Sequence, residues 1–206
     1  MTRGFLLASL VLIGAPLALA EPESCAVPPS GSYEGARLSC DLDRAARIMQ
    51  RTEILQGPLR PAKLSIVDTM APSGSAYVYT VYGQNGWSFL EARSVPVSEA
   101  ARRAPSCRLD TMLPADVSQS LDSLTRQIES DTPAAYGARE EVTHNPDGSR
   151  TLRLVLDSHD IVTRIGPAGS GQYFSRHAGS DDPVSRLNQL VIGVANVSSA
   201  WSCDGS

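Results

Sequence analysis

Two runs rich in Val, Tyr, Trp and Phe flank the dipeptide Asn85-Gly86 between Ala76 and Val95, and this segment constrains the fold more tightly than any other. Both turn positions tolerate the positive φ that a two-residue type I′ turn demands, so the segment is expected to fold back on itself as a β-hairpin. With the turn at Asn85-Gly86, Gln84 opposes Trp87. Counting outward pairs Tyr82 with Phe89, Thr80 with Glu91 and Val78 with Arg93 on one face. Val81 with Leu90 and Tyr79 with Ala92 occupy the other. That second set is apolar at its centre and is expected to meet the core, leaving Tyr82, Trp87, Phe89, Glu91 and Arg93 facing outward or lying under a loop.

Around this hairpin the pattern alternates between helix and strand in blocks. Asp41 can cap a helix that carries Leu42, Ala45, Ile48 and Met49 on one side, ended by Gly57-Pro58 and Pro61. Lys63 to Thr69 reads as a short strand before the Pro72-Ser73-Gly74 turn. From Pro114 to Glu129 a second helix is predicted, with Val117, Leu121, Leu124 and Ile128 in one stripe. A second antiparallel set follows: a charged edge strand over Arg139 to His144, the turn Asn145-Pro146-Asp147-Gly148, a strand over Arg150 to Leu156 and another over Ile161 to Ile165. Gly166-Pro167 and Gly169-Ser170-Gly171 predict a mobile loop. Asp182 caps the last helix and Pro183 suits its first turn, while Val184, Leu187, Leu190, Val191, Val194 and Trp201 fall on one face. No strand-helix-strand unit of parallel type is evident. The expected class is therefore α+β: an antiparallel sheet built from two hairpin or meander units, with helices packed on one side.

Four cysteines brace this plan. Cys25, Cys40, Cys107 and Cys203 follow a leader whose parts are those of an export signal: Arg3, an apolar stretch from Phe5 to about Ala15, and the small-residue ending Ala18-Leu19-Ala20. Cleavage after Ala20 would leave all four cysteines in a compartment where disulfides persist. Of the three possible connectivities, the closeness of Cys25 to Cys40 and the position of Cys203 after a C-terminal helix favour Cys25 with Cys40 and Cys107 with Cys203, worth about 3 kcal/mol for the short loop and about 4–5 kcal/mol for the long one. The pattern has no Cys-x-x-Cys pair, which argues against zinc. Residues 1–20 thus read as a signal peptide, 21–38 as an irregular arm rich in Pro, Ser and Gly, and 39–206 as a single α+β domain. The apolar run of the leader is too short for a bilayer span, and the mature chain offers no other. A periplasmic or secreted location follows.

Charge narrows the partners. The whole chain carries a net charge of −4, and the leader removes an arginine, so nucleic acid is a poor partner. No cofactor or metal is expected. His177 with Asp181 and Asp182, joined by His159 or Asp157, contains metal-ligand types, but Asp182 is already explained as a helix cap and His177 lies in a Gly/Ser-rich stretch. Ser158-His159-Asp160 contains the residue types of a hydrolytic triad. Neighbours along a strand or tight turn point apart, however, and no Gly-x-Ser-x-Gly elbow is present, so no catalytic residue is assigned. Asp147-Gly148-Ser149 lacks the acidic spacing of a calcium loop. Asn196-Val197-Ser198 matches a glycosylation pattern inside an expected helix.

The outward hairpin face, Tyr82, Trp87 and Phe89 bordered by Glu91 and Arg93, is the candidate binding surface, suited to an envelope protein, a peptide or a glycan. The sequence therefore predicts an exported, non-enzymatic binding module. The alternative is a periplasmic or secreted hydrolase whose site gathers His159, His177, Asp157 and Asp181 from distant segments.

Overall fold

A computed structural model describes residues 42–50, 52, 61–69, 75–84, 87–97, 105–130, 142–144, 146–152, 160–167, 170–179 and 181–204. The leader, the N-terminal arm, Asp41, and the Cys25 and Cys40 pair lie outside the described residues, as do Asp157 to His159.

Seven antiparallel strands form the main sheet. In chain order they are β1 (Ala62–Asp68), β2 (Ser75–Gln84), β3 (Trp87–Pro96), β4 (Cys107–Met112), β7 (Asp160–Ile165), β8 (Gln172–His177) and β9 (Ser202–Cys203); β5 (Val142–His144) and β6 (Arg150–Leu152) make a separate two-stranded sheet. The order across the main sheet is β8-β7-β1-β2-β3-β4-β9. A four-stranded meander thus sits at the centre, with the β7–β8 hairpin on one flank and the chain end on the other. The two-unit sheet expected from sequence is corrected in this respect: only the third strand of the second set joins the main sheet. The stretch read as a loop at 166–171 is the connection of the β7–β8 hairpin, where Gly166 adopts φ 96° and Gly171 N donates to Pro167 O at 2.9 Å. A Cβ on Gly171 would fall 2.8 Å from the Ile165 carbonyl oxygen, so close backbone approach explains that glycine.

The central hairpin has the register its turn implies. Gln84 pairs with Trp87, Tyr82 with Phe89, Val81 with Leu90, Thr80 with Glu91, Tyr79 with Ala92 and Val78 with Arg93. On the face of Tyr79, Val81, Leu90 and Ala92, two helices close the main core: α2 (Ala115–Ser130) and α3 (Pro183–Val197). Leu121 and Ile128 of α2 are buried there, with Val117 and Leu124 packed at the margin. From α3 come Val184, Leu187, Val191 and Ala195, all fully buried. Asp182 caps α3 by accepting from Ser185 N at 2.8 Å, and its other oxygen accepts from the buried Arg176 Nε of β8. A second tie runs from Thr163 Oγ1 of β7 to Asn188 Oδ1 at 2.6 Å. The helix stops at Val197, so Trp201 lies beyond it. Its indole nevertheless packs onto the core, donating to Ala195 O at 2.8 Å and meeting Tyr77 edge-on.

The first helix, α1 (residues 42–50), lies on the opposite face. Its Ala45, Ile48 and Met49 are buried with Val67, Ala76, Val78 and Val162, side chains that alternate with the main-core set along their strands. The expectation of helices on one side is therefore corrected. Strands β1, β2 and β7 carry apolar residues on both faces at their α1 end, which marks a doubly covered sheet. Away from α1 the same face turns polar, where Arg164 Nη2 donates to Ser65 Oγ at 2.9 Å, both residues being buried.

Cys107 and Cys203 are disulfide-bonded and directly opposed across β4 and β9, with Cα atoms 4.0 Å apart. Asp204 N donates to Ser106 O at 2.9 Å, while Cys107 N turns the other way and donates to Ser94 Oγ at 2.8 Å. The two cysteines therefore occupy a non-hydrogen-bonded pair, the position where opposed side chains come closest. No helix among the described residues is long and apolar enough to cross a membrane.

Candidate partner-binding site

The strand register puts Tyr82, Trp87, Phe89, Glu91 and Arg93 on one face of the sheet, but their surroundings differ. Tyr82 is buried at 7% exposure and Phe89 is half-buried, whereas Trp87 is 54% exposed. Met112 of β4, opposite Phe89, is 52% exposed on the same face. Sequence reading left Met112 out because residues 107–112 were not read as a strand. A signal was nevertheless present: Arg108, Asp110 and Met112 alternate with Leu109, Thr111 and Leu113, and Leu109 and Leu113 are buried.

Glu91 and Arg93 belong to a self-contained charge lattice. Glu91 lies directly across from Asp110, and Arg93 from Arg108. Opposed like charges destabilise a strand pair, so each arginine bonds along its own strand instead. Arg93 Nε donates to Glu91 Oε1 at 2.6 Å, and Arg108 grips Asp110 through Nε at 2.6 Å and Nη2 at 3.1 Å. A diagonal contact of 3.6 Å links Arg108 to Glu91. The hydrogen bond that Arg108 donates to Asp110, aided by nearby negative charge, raises the Arg108 pKa above its ordinary value and keeps the guanidinium charged. A recess of about 320 Å³ opens beside this lattice, lined by Arg93, Arg108, Asp110, Ser202, Asp204 and the disulfide edge. Its two arginines are already paired, Arg93 with Glu91 and Arg108 with Asp110.

At the other end of β3 the surroundings are more open. Trp87 borders a groove of about 370 Å³ whose far side is the flank of α2, formed by Ala115, Ser118, Gln119, Asp122 and Arg126. These positions occur on one side of the helix, away from the buried Leu121 and Ile128, and all but Ser118 are exposed. Asp122 lies 3.6 Å from the Lys63 ammonium, and its backbone carbonyl accepts from Arg126 Nε at 3.2 Å. Lys63 reaches this point by running alongside Gly83, where a Cβ would fall 2.0 Å from its Cε.

No three His, Cys, Asp or Glu side chains come together as a metal-ligand group among the described residues. His159 and Asp157 lie outside them, and Asp181 is exposed. His177 ends β8 rather than lying in a loop, and it pairs in register with Asp160 of β7. Asp182 serves as the α3 cap.

The chain matches no family model, no curated protein and no solved structure.

Proposed function

We propose that this chain is an exported, non-enzymatic binding module that takes its partner at the Trp87 end of the sheet, with Phe89 and Met112 completing the contact surface. One observation carries the reading. Large apolar side chains of the central strands are almost all buried, yet Trp87 and Met112 remain more than half exposed, close together on one face. Exposed aromatic and methionine side chains are what interfaces favour, and the adjoining paired charges supply a polar rim. The leader and the Cys107–Cys203 disulfide support a working form in the periplasm or outside the cell.

The test uses the mature, oxidised chain immobilised and exposed to envelope extract. A Trp87→Ala/Met112→Ala double variant is expected to lose the retained partner. Its thermal transition should barely move, because exposed positions of this kind change stability by about 0.5 kcal/mol or less. Retention unaffected by the double substitution would move the binding surface elsewhere. Finding Met1 on native material by mass spectrometry would remove the case for export.

A further inference from the structure

The groove between Trp87 and α2 has a composition that names a ligand class. One wall is a single half-exposed indole, and the other is a row of planar or hydroxylated polar groups: Ser118, Gln119, Asp122 and Arg126. A peptide side chain used as an anchor calls for a closed apolar pocket, and here Ala115 is the sole apolar contributor from α2. A pyranose ring has different needs. Its face is a patch of C–H groups that lies flat on an aromatic ring, and its rim is a set of hydroxyls that both donate and accept. A carboxylate, a carboxamide and a guanidinium satisfy such hydroxyls in pairs.

We propose that this groove binds an uncharged oligosaccharide, with one sugar ring stacked on Trp87 and its hydroxyls held by Gln119, Asp122 and Arg126. The volume, about 370 Å³, falls within the range of small-ligand sites, about 300–1,000 Å³. The two charged residues that line the groove, Asp122 and Arg126, are of opposite sign, and Lys63 lies 3.6 Å from Asp122. A strongly acidic or basic ligand therefore finds little net charge to complement. Position matters too, because Trp87 begins β3 and Ala115 begins α2, so both walls are carried on regular elements.

This inference rests on the Trp87 end being the binding surface and narrows what it binds. The experiment titrates the mature, oxidised protein with cellotetraose, chitotetraose and maltotetraose. The chain has two tryptophans, so a Trp201→Phe background makes Trp87 the only indole reporter. At least one oligosaccharide is expected to give a saturable fluorescence change. By calorimetry in the otherwise unaltered chain, Trp87→Ala should weaken that binding by tenfold or more, Trp87→Phe should restore part of it, and Gln119→Ala and Asp122→Asn should each weaken it by about tenfold, the scale of one good contact. No saturable response to any of the three sugars, or binding indifferent to Trp87→Ala, overturns the proposal. If the sugars fail while Trp87→Ala/Met112→Ala still abolishes retention of an envelope protein, the oligosaccharide assignment falls and the broader binding reading stands. Loss of both results removes both.

Discussion

The β2–β3 and β5–β6 hairpins carry equally good turn signals and end up in different situations. Asn85-Gly86 joins two ten-residue strands at the centre of the main sheet, whereas the Asn145-Pro146-Asp147-Gly148 turn joins two three-residue strands paired only with each other. Turn chemistry decides that a chain reverses. Integration into a sheet requires something further, namely a run of alternating apolar residues long enough to bury against helices, and Tyr79, Val81, Leu90 and Ala92 provide it. The short hairpin is held by its turn instead: Asp147 Oδ1 accepts from Ser149 N at 2.9 Å and from Ser149 Oγ at 2.6 Å.

Four experiments can break or sharpen that contrast. The largest effect is expected from Leu90→Ala, which opens a cavity in the main core. It should cost about 2–5 kcal/mol and lower the single global transition seen by denaturant unfolding. A loss confined to local exchange would show that β3 is not part of the cooperative unit.

Alkaline pH should come next. Burial, with smaller contributions from Asp68 and Tyr77, pushes the Tyr79 hydroxyl well above the ordinary tyrosine value of 10.0. The folded state therefore keeps a proton that the unfolded state gives up. Stability is full below about pH 10 and falls above it, by as much as about 1.4 kcal/mol per unit. Tyr79→Phe should flatten this decline in unfolding curves collected from pH 9 to 11, and an unchanged slope would reassign the cause.

For the short hairpin the effects are smaller and local. Gly148 has φ 80° with nothing near its missing Cβ, so Gly148→Ala adds backbone strain alone, roughly 1 kcal/mol. Faster amide exchange across β5 and β6 with an unchanged global melt is expected; a falling melt would tie this hairpin to the main core. Smallest of all is an acid effect. Hydrogen bonds from the Ser149 hydroxyl and amide hold the Asp147 pKa below the usual aspartate value. The turn is thus supported above the ordinary carboxylate range and loses that support only as pH falls through the lowered value. Proton NMR of Ser149 down an acid titration should record it, and Asp147→Asn should abolish the change.

What could be read from sequence follows the same division. The register of β2–β3, the buried stripe of α2 and the α3 cap each come from a local rule that the fold obeys, and the Cys107–Cys203 bond joins the two cysteines left once the close pair Cys25 and Cys40 is set aside. Missed were β4, β8 and β9, because Cys-Arg-Leu-Asp-Thr-Met and Gln-Tyr-Phe-Ser-Arg-His carry arginine on strands that make sense only beside their neighbours. Arg176 is buried because Asp182 meets it across a turn, and no single-segment pattern announces such a meeting. The placement of α1 was hidden for a related reason. An apolar stripe shows that a helix packs, while the choice of sheet face depends on Val67, Val78 and Val162 from three separate strands. Of the proposed binding surface, Trp87 and Phe89 were legible from alternation, and the α2 flank that borders the groove was not, since its polar residues look like any solvated helix side.

The bond between Cys107 and Cys203 spans 96 positions, and that span holds α2, β5 to β8 and α3. Nearly half of the polypeptide is thereby a closed ring, and a protease that nicks it once releases no fragment. Such a molecule would run as one band on a non-reducing gel after cleavage and split in two only when a thiol is added.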